Sequence, residues 1–174
     1  LVIGGTGYLG GAIVRALARR DHEPIVFARH ASAAGLPGTP VDGDIRERAA
    51  VFRAVDGVEA VCHAAALVSV WRPRAADFDD VNVEGLRATL DACRAHATPR
   101  IVYTSSFLAR PPRGSATPLS ANDYQRTKVL ALDVARQAAA DGMPIVTMVP
   151  GVIYGPGTRT EGDLVGRVVD DHRA

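Results

Sequence analysis

The first eleven residues, LVIGGTGYLGG, constrain this chain more than any other stretch. Three apolar residues read as a buried strand. Residues 8–20 follow with helical spacing, placing Leu9, Ala12, Ile13, Ala16 and Leu17 on one stripe. Between the two, Gly4, Gly7 and Gly10 stand at the spacing G-x-x-G-x-x-G. A strand that turns through such glycines into a helix brings backbone N–H groups and the positive end of the helix dipole to one spot, a seat for a pyrophosphate. Tyr8 and Leu9, at the opening of the helix, belong to that seat. The alternative is a glycine-rich turn without a ligand, and the strand–turn–helix context favours the seat. No Lys-Ser or Lys-Thr follows the last glycine, which disfavours a nucleoside-triphosphate loop.

The rest of the chain alternates short apolar runs with helical patterns. Strands are expected at 25–28, around Val41, and at 59–63, 100–104 and 144–149. Helices are expected over 46–55 with Gly57 closing it, within 75–96, over 122–140 ending near Gly142, and over 164–171. The strands are continuously apolar, as in sheets covered on both faces. Strand and helix in regular alternation predict a doubly wound α/β fold with a parallel sheet. Ligands in such folds sit beyond the carboxyl ends of the strands.

Which dinucleotide the seat takes is decided near the end of the second strand, where an acid would accept from the ribose 2′-OH of NAD. The segment Val26-Phe27-Ala28-Arg29-His30 has no acid, and Arg29 can pair with a 2′-phosphate. This points to NADP(H), with NAD as the alternative and a plain surface charge as the bland reading of Arg29.

Tyr124 and Lys128 lie four residues apart in a helical pattern and so share one helix face. An ammonium near a phenol favours phenolate and lowers its pKa from about 10, making the tyrosine an acid or base near neutral pH. Alone, such a pair is common by chance and better read as a surface pair. Ser105 and Ser106, at the carboxyl end of the 100–104 strand, add a hydroxyl that could hold a substrate carbonyl.

Composition excludes other classes. Lys and Arg total 20 against 19 Asp and Glu, a net charge of +1, so nothing draws the chain to nucleic acid or an anionic membrane. With 47% apolar and 22% charged residues, the 174 residues read as one globular domain. The longest apolar stretch, 1–14, is broken by five glycines and ended by Arg15, so it neither spans a bilayer nor resembles a signal peptide, although an opening Leu leaves the true start open. Cys62 and Cys93 read as buried thiols of a reducing compartment, the cytoplasm. The histidines at 22, 30, 63, 96 and 172 show no metal-ligand spacing, and there is no G-x-S-x-G, so no metal and no hydrolase chemistry is expected.

Together the motifs resemble the extended short-chain dehydrogenase/reductases, the NAD-dependent epimerase/dehydratase group. The matching pieces run in the family's order from Leu1 to about Gly157: GGTGYLGG, Gly43-Asp44-Ile45, His63-Ala64-Ala65-Ala66, Asn82-Val83-Glu84-Gly85, Thr104-Ser105-Ser106, YQRTK and PGVIYGPG. HAAALVSVW followed by VNVEG, with Arg29, is most similar to dihydroflavonol-reductase-like and 3β-hydroxysteroid-dehydrogenase-like members. The resemblance implies a Rossmann domain over 1–157, with 158–174 opening a substrate lobe that is largely absent from this chain. It implies that Tyr124 is the catalytic acid/base and that Lys128 lowers its pKa and binds the nicotinamide ribose. Ser106 orients the substrate oxygen, with Ser105 the fallback. Asp44 and Ile45 flank the adenine, and Ala64, Ala65 and Ala66 line the ribose and phosphate path. Pro150, Gly151, Val152 and Ile153 pass the nicotinamide. Asn82 supports the central helix and strand. Asp44 could instead cap a helix, His63 reads as a packed strand-end residue, and Trp71 is either core or a substrate contact.

These observations lead to an NADP(H)-dependent oxidoreductase interconverting a ketone and a secondary alcohol and working on a small molecule, with a homodimer left open. Two rivals are a nucleotide-sugar epimerase or dehydratase with tightly held NAD, and a dinucleotide-binding regulator without catalysis.

Overall fold

The computed structural model describes residues 1–69 and 72–156. Six strands form one parallel sheet: β1 (Val2–Ile3), β2 (Ile25–Ala28), β3 (Thr39–Asp42), β4 (Val61–His63), β5 (Ile101–Thr104) and β6 (Ile145–Met148). Their order is β3-β2-β1-β4-β5-β6. The helices are α1 (Tyr8–Ala18), α2 (Arg48–Val55), α3 (Ala76–Asp79), α4 (Gly85–Ala95) and α5 (Asp123–Ala140). The chain winds outward from β1 through β2 to β3, then crosses back to begin again at β4. The order therefore reverses between β1 and β4, and the crevice beyond their carboxyl ends is where such a sheet receives a ligand.

Successive strand residues point to opposite faces. Ile3, Phe27, Val61, Ile101 and Tyr103 pack with Val51, Val55, Leu86, Leu90, Ala131 and Ala135 on one face. Val2, Val26 and Val14 pack on the other. Each Val, Leu, Ile or Phe side chain among them taken from water contributes about 1.5–3 kcal/mol.

Several expectations need correction. The buried stripe of α1 is Gly10, Gly11 and Val14, while Ala12 is exposed, because the helix faces the sheet through its glycines. Helix α2 starts at Arg48 instead of residue 46, since the Asp44 carboxylate takes the Arg46 N–H at 2.9 Å and holds that stretch in a turn. The helix within 75–96 is interrupted by a π-helical turn, Asp80–Glu84, between α3 and α4. The edge strands are not covered on both faces: Val146 and Met148 of β6 are more than half exposed. Among the described residues, the cluster around α1 on that face takes in β1, β2 and Cys62 of β4 but no residue of β6. Gly57 and Gly142 do take positive φ, +71° and +84°, just past α2 and α5. Trp71 and the helix expected at 164–171 lie outside the described residues.

Candidate active site

The glycine turn is fitted to its neighbours. Gly4 has φ +79°, and a Cβ there would come within 2.6 Å of the Ala65 Cα. A Cβ on Gly10 would come within 2.1 Å of the Gly4 carbonyl oxygen, so only glycine lets α1 begin this close to β1. Gly7, the N-cap of α1, brings no side-chain cap, and no acid stands in the first turn. The N–H groups at this helix end thus stay open to an anion. Such a cradle, which a Cβ would fill, fits a dinucleotide pyrophosphate.

From the turn a cavity of about 490 Å³ runs over the ends of β1, β2 and β4. Of the residues singled out from the sequence it gathers Gly4, Gly7, Arg29, Asp44, Ile45, Ala64, Ala65 and Ala66. Tyr8, Leu9, Gly10, the Ser/Tyr/Lys set and Pro150 to Ile153 do not line it. Ile45 is buried, and its side chain fills the space where Gly85 has no Cβ. Asp44 does not cap α2: it is bridged by Arg46, with Nε at 3.0 and 3.1 Å and Nη2 at 2.5 Å. That bridge is the main cause holding the Asp44 carboxyl below its usual range. Arg29 is exposed on the cavity wall.

At the other end, Asn122 caps α5 by accepting from the Gln125 N–H at 2.8 Å, starting the helix that carries Tyr124 and Lys128. Lys128 is buried, and its Nζ donates to the Thr104 carbonyl at 3.0 Å. Ser106 Oγ accepts from the Leu108 N–H at 3.2 Å and lies at the Tyr124 phenol, whose pKa it pulls downward. Ser105 turns inward instead: its hydroxyl is buried, without a hydrogen-bond partner, and close to the Tyr103 phenol. The expected lowering of Tyr124 by Lys128 is not what the structure gives. Burial dominates and raises the phenol, and the ammonium is aimed at the Thr104 carbonyl. Burial likewise pushes the Lys128 amine down to about 8.

Asn82, in the π turn, accepts from the Leu67 N–H at 2.7 Å and donates to the Leu67 carbonyl at 3.2 Å and to Thr127 Oγ1 at 3.0 Å. It thereby ties the loop after β4 to α5. His63 is fully buried, with Nδ1 3.1 Å from Thr89 Oγ1. The segment 150–153 follows β6: the Pro150 carbonyl accepts from the Phe107 N–H at 3.0 Å, and Gly151 and Val152 are exposed. The Tyr8 hydroxyl donates to the Gly155 carbonyl at 2.5 Å, tethering this segment beside the glycine turn.

Sequence reasoning assigns no site role to Thr6, Phe27, His30, Gly43 and Arg46, which the structure places on the cavity wall. Thr6 sits inside GGTG and Arg46 directly after Gly43-Asp44-Ile45, so those motifs could have pointed to them. Among the described residues no three metal-ligating side chains come together, and no helix is long and apolar enough to cross a membrane.

A parallel sheet with a reversal point, a glycine cradle at the first helix and a cavity leading from it define a dinucleotide-binding Rossmann domain. A family model described as the NAD dependent epimerase/dehydratase family matches residues 1–173. Sterol demethylase protein B of Methylococcus capsulatus is 35% identical over 184 residues, covering 98% of this chain and 56% of that protein. The 2-alkyl-3-oxoalkanoate reductase of Stenotrophomonas maltophilia is 32% identical, covering 99% and 55%. The crystal structure of UDP-glucose 4-epimerase from Brucella ovis in complex with NAD superposes with a TM-score of 0.72 at 30% identity, covering 84% of this chain and 49% of the other. The chain belongs to the NAD-dependent epimerase/dehydratase family, within the extended short-chain dehydrogenase/reductases. It spans about half the length of the curated relatives it matches.

Proposed function

We propose that this chain is the nucleotide-binding and catalytic part of an NADP(H)-dependent oxidoreductase that interconverts a ketone and a secondary alcohol. The observation that carries the reading is Lys128, a buried ammonium one helical turn from Tyr124, with the Ser106 hydroxyl at that phenol. The group sits at the carboxyl end of the sheet that also presents the glycine cradle. Arg29, in the place of an acid, supports NADP(H) over NAD.

When bound, the nicotinamide supplies or accepts hydride. Tyr124 Oη holds the proton exchanged with the substrate oxygen, and Ser106 Oγ orients that oxygen. With its pKa raised by burial, Tyr124 is protonated at neutral pH and suited to donate in the reductive direction. Relatives named for a sterol and for a 2-alkyl-3-oxoalkanoate support an apolar ketone as substrate. On this reading Trp71 contacts substrate, residues 158–174 open the substrate lobe, and the protein works in the cytoplasm as a homodimer. The bound NAD of the Brucella ovis epimerase supports a second reading, a nucleotide-sugar epimerase. That reading requires NAD retained through purification and no net consumption of added NADPH.

In the full-length protein, Tyr124→Phe is expected to lower NADPH-dependent ketone reduction by about 10²–10⁴-fold, while NADPH affinity by calorimetry stays within about twofold. A fully active Phe variant overturns the proposal.

A further inference from the structure

Lys128 is the only lysine in the sequence, and the other 19 of the 20 basic side chains are arginines. The exception falls on a buried site, where an amine can titrate and a guanidinium cannot. Burying a cation is costly unless something replaces its water. Here one N–H goes to the Thr104 carbonyl, and no described carboxylate pairs with the ammonium. What remains beside it is an aromatic face: Nζ lies 5.1 Å from the centroid of the Tyr103 ring.

The groups around the ammonium bring no negative charge at neutral pH. From β4 comes His63. The Thr89 hydroxyl gives its proton to the Gly85 carbonyl at 2.9 Å, so His63 Nδ1 must carry the hydrogen in its contact with Thr89 Oγ1. Burial, with Lys128 as second cause, pushes the His63 pKa down to about 3, so the imidazole is neutral. From β5 comes Tyr103, whose phenol burial pushes well above its ordinary value. From α5 comes Tyr124, also raised. The π turn and α4 offer Asn82 and Thr89, which do not titrate.

Tyr103 itself is 1% exposed, and its hydroxyl meets the buried hydroxyl of Ser105 and neither the ammonium nor Tyr124. The His63 ring packs edge-on at 5.7 Å between centroids and helps fix the orientation of the phenol ring. The phenol oxygen is turned toward Ser105 while the cation lies over the ring, so it is the ring that Lys128 meets. We propose that Tyr103 is a positioning residue for Lys128: the face of its ring, and not its hydroxyl, seats the ammonium and keeps it charged. This rests on the reading of Lys128 as part of the catalytic group.

The test uses the full-length protein with Tyr103→Phe and with 3,4,5-trifluorophenylalanine at position 103. The second keeps the ring's shape and withdraws electrons from its face. The primary readout is the pH midpoint of the Lys128 amine, followed by NMR of its labelled ε-carbon and assigned with Lys128→Met. Tyr103→Phe should leave the midpoint and the pH profile of turnover unchanged. The fluorinated ring should lower the midpoint by about half to one unit and move the basic limb of turnover the same way. Tyr103→Leu should do the same if it folds; the fluorinated variant decides if it does not. An unshifted midpoint in the fluorinated variant, or an equal shift in Tyr103→Phe, overturns the inference. Tyr124→Phe run beside them separates the two failures: an active Tyr124→Phe enzyme sinks the catalytic reading, whereas the NMR midpoint reports the ring seat regardless of turnover.

Discussion

The two ends of the crevice are built from different materials. The glycine end is made of backbone and of charge open to solvent: Gly4, Gly7 and Gly10 shape it, Asp44 and Arg46 bridge each other, and Arg29 stands in solvent on its wall. The tyrosine end is made of buried side chains, where a lone cation faces a carbonyl and a ring. Water screens the first end and not the second. Charge at the first end can therefore select a ligand at little cost to the fold, whereas at the second each neighbour decides whether the charge exists at all.

The backbone end should break most completely under the smallest change. Gly10→Ala places a Cβ 2.1 Å from a main-chain oxygen, with no flexible side chain to yield. The expected result is a loss of at least about 1–3 kcal/mol in stability by denaturant unfolding, with nucleotide affinity down by tenfold or more. Gly151→Ala is the counterpart: a Cβ there meets nothing within 4 Å, so stability should hold. An equally damaging Gly151→Ala would mean that losing a glycine is harmful whatever its Cβ would meet, and that the close approach at Gly10 is not the cause.

The first end was also the more legible from sequence, because a glycine triplet between a strand and a helix states its own geometry. The Tyr124 and Lys128 pair was legible through helical spacing, and residue alternation along β5 explains why Ser105 turns inward beside Tyr103 while Ser106 reaches Tyr124. The tuning at the second end was not legible. Spacing predicts a lysine that lowers a phenol, yet burial acts on both groups and raises Tyr124. The π turn at Asp80–Glu84 was hidden because its residues fit an α-helical pattern equally well; Asn82's contacts to Leu67 and Thr127 accompany it. The Asp44–Arg46 fork depends on a two-residue turn that no periodicity reports.

Arg29 sharpens the comparison at intermediate size. Exposed and outside the core, it should be removable without cost to folding. Arg29→Ala is expected to weaken NADPH binding by about 10–100-fold, the loss of one charge-assisted contact to phosphate, and to leave NADH binding unchanged. Parallel titrations with the two nucleotides check this. Equal weakening of both would assign Arg29 to general binding and remove the argument for NADP(H).

The smallest effect is expected from a cation that is paired but not deeply buried. Arg126, two residues before Lys128, forks onto Asp79 with Nη1 at 2.8 Å and Nη2 at 2.6 Å, joining α5 to α3. Its side chain is 36% exposed and that of Asp79 37%, so solvent screens the pair and Arg126→Met should cost only about 0.5–1 kcal/mol. The hydrogen bond from Arg126 holds the Asp79 carboxyl below its ordinary 3.8. A depressed carboxylate contributes stability above its unfolded pKa and loses it as pH falls through the folded one. The gap between wild type and Arg126→Met should therefore be constant from neutral pH down to about 4 and close below that. Denaturant unfolding across that range measures it. A gap of several kcal/mol would place this half-exposed pair among the strong interactions and erase the distinction drawn between screened and buried charge.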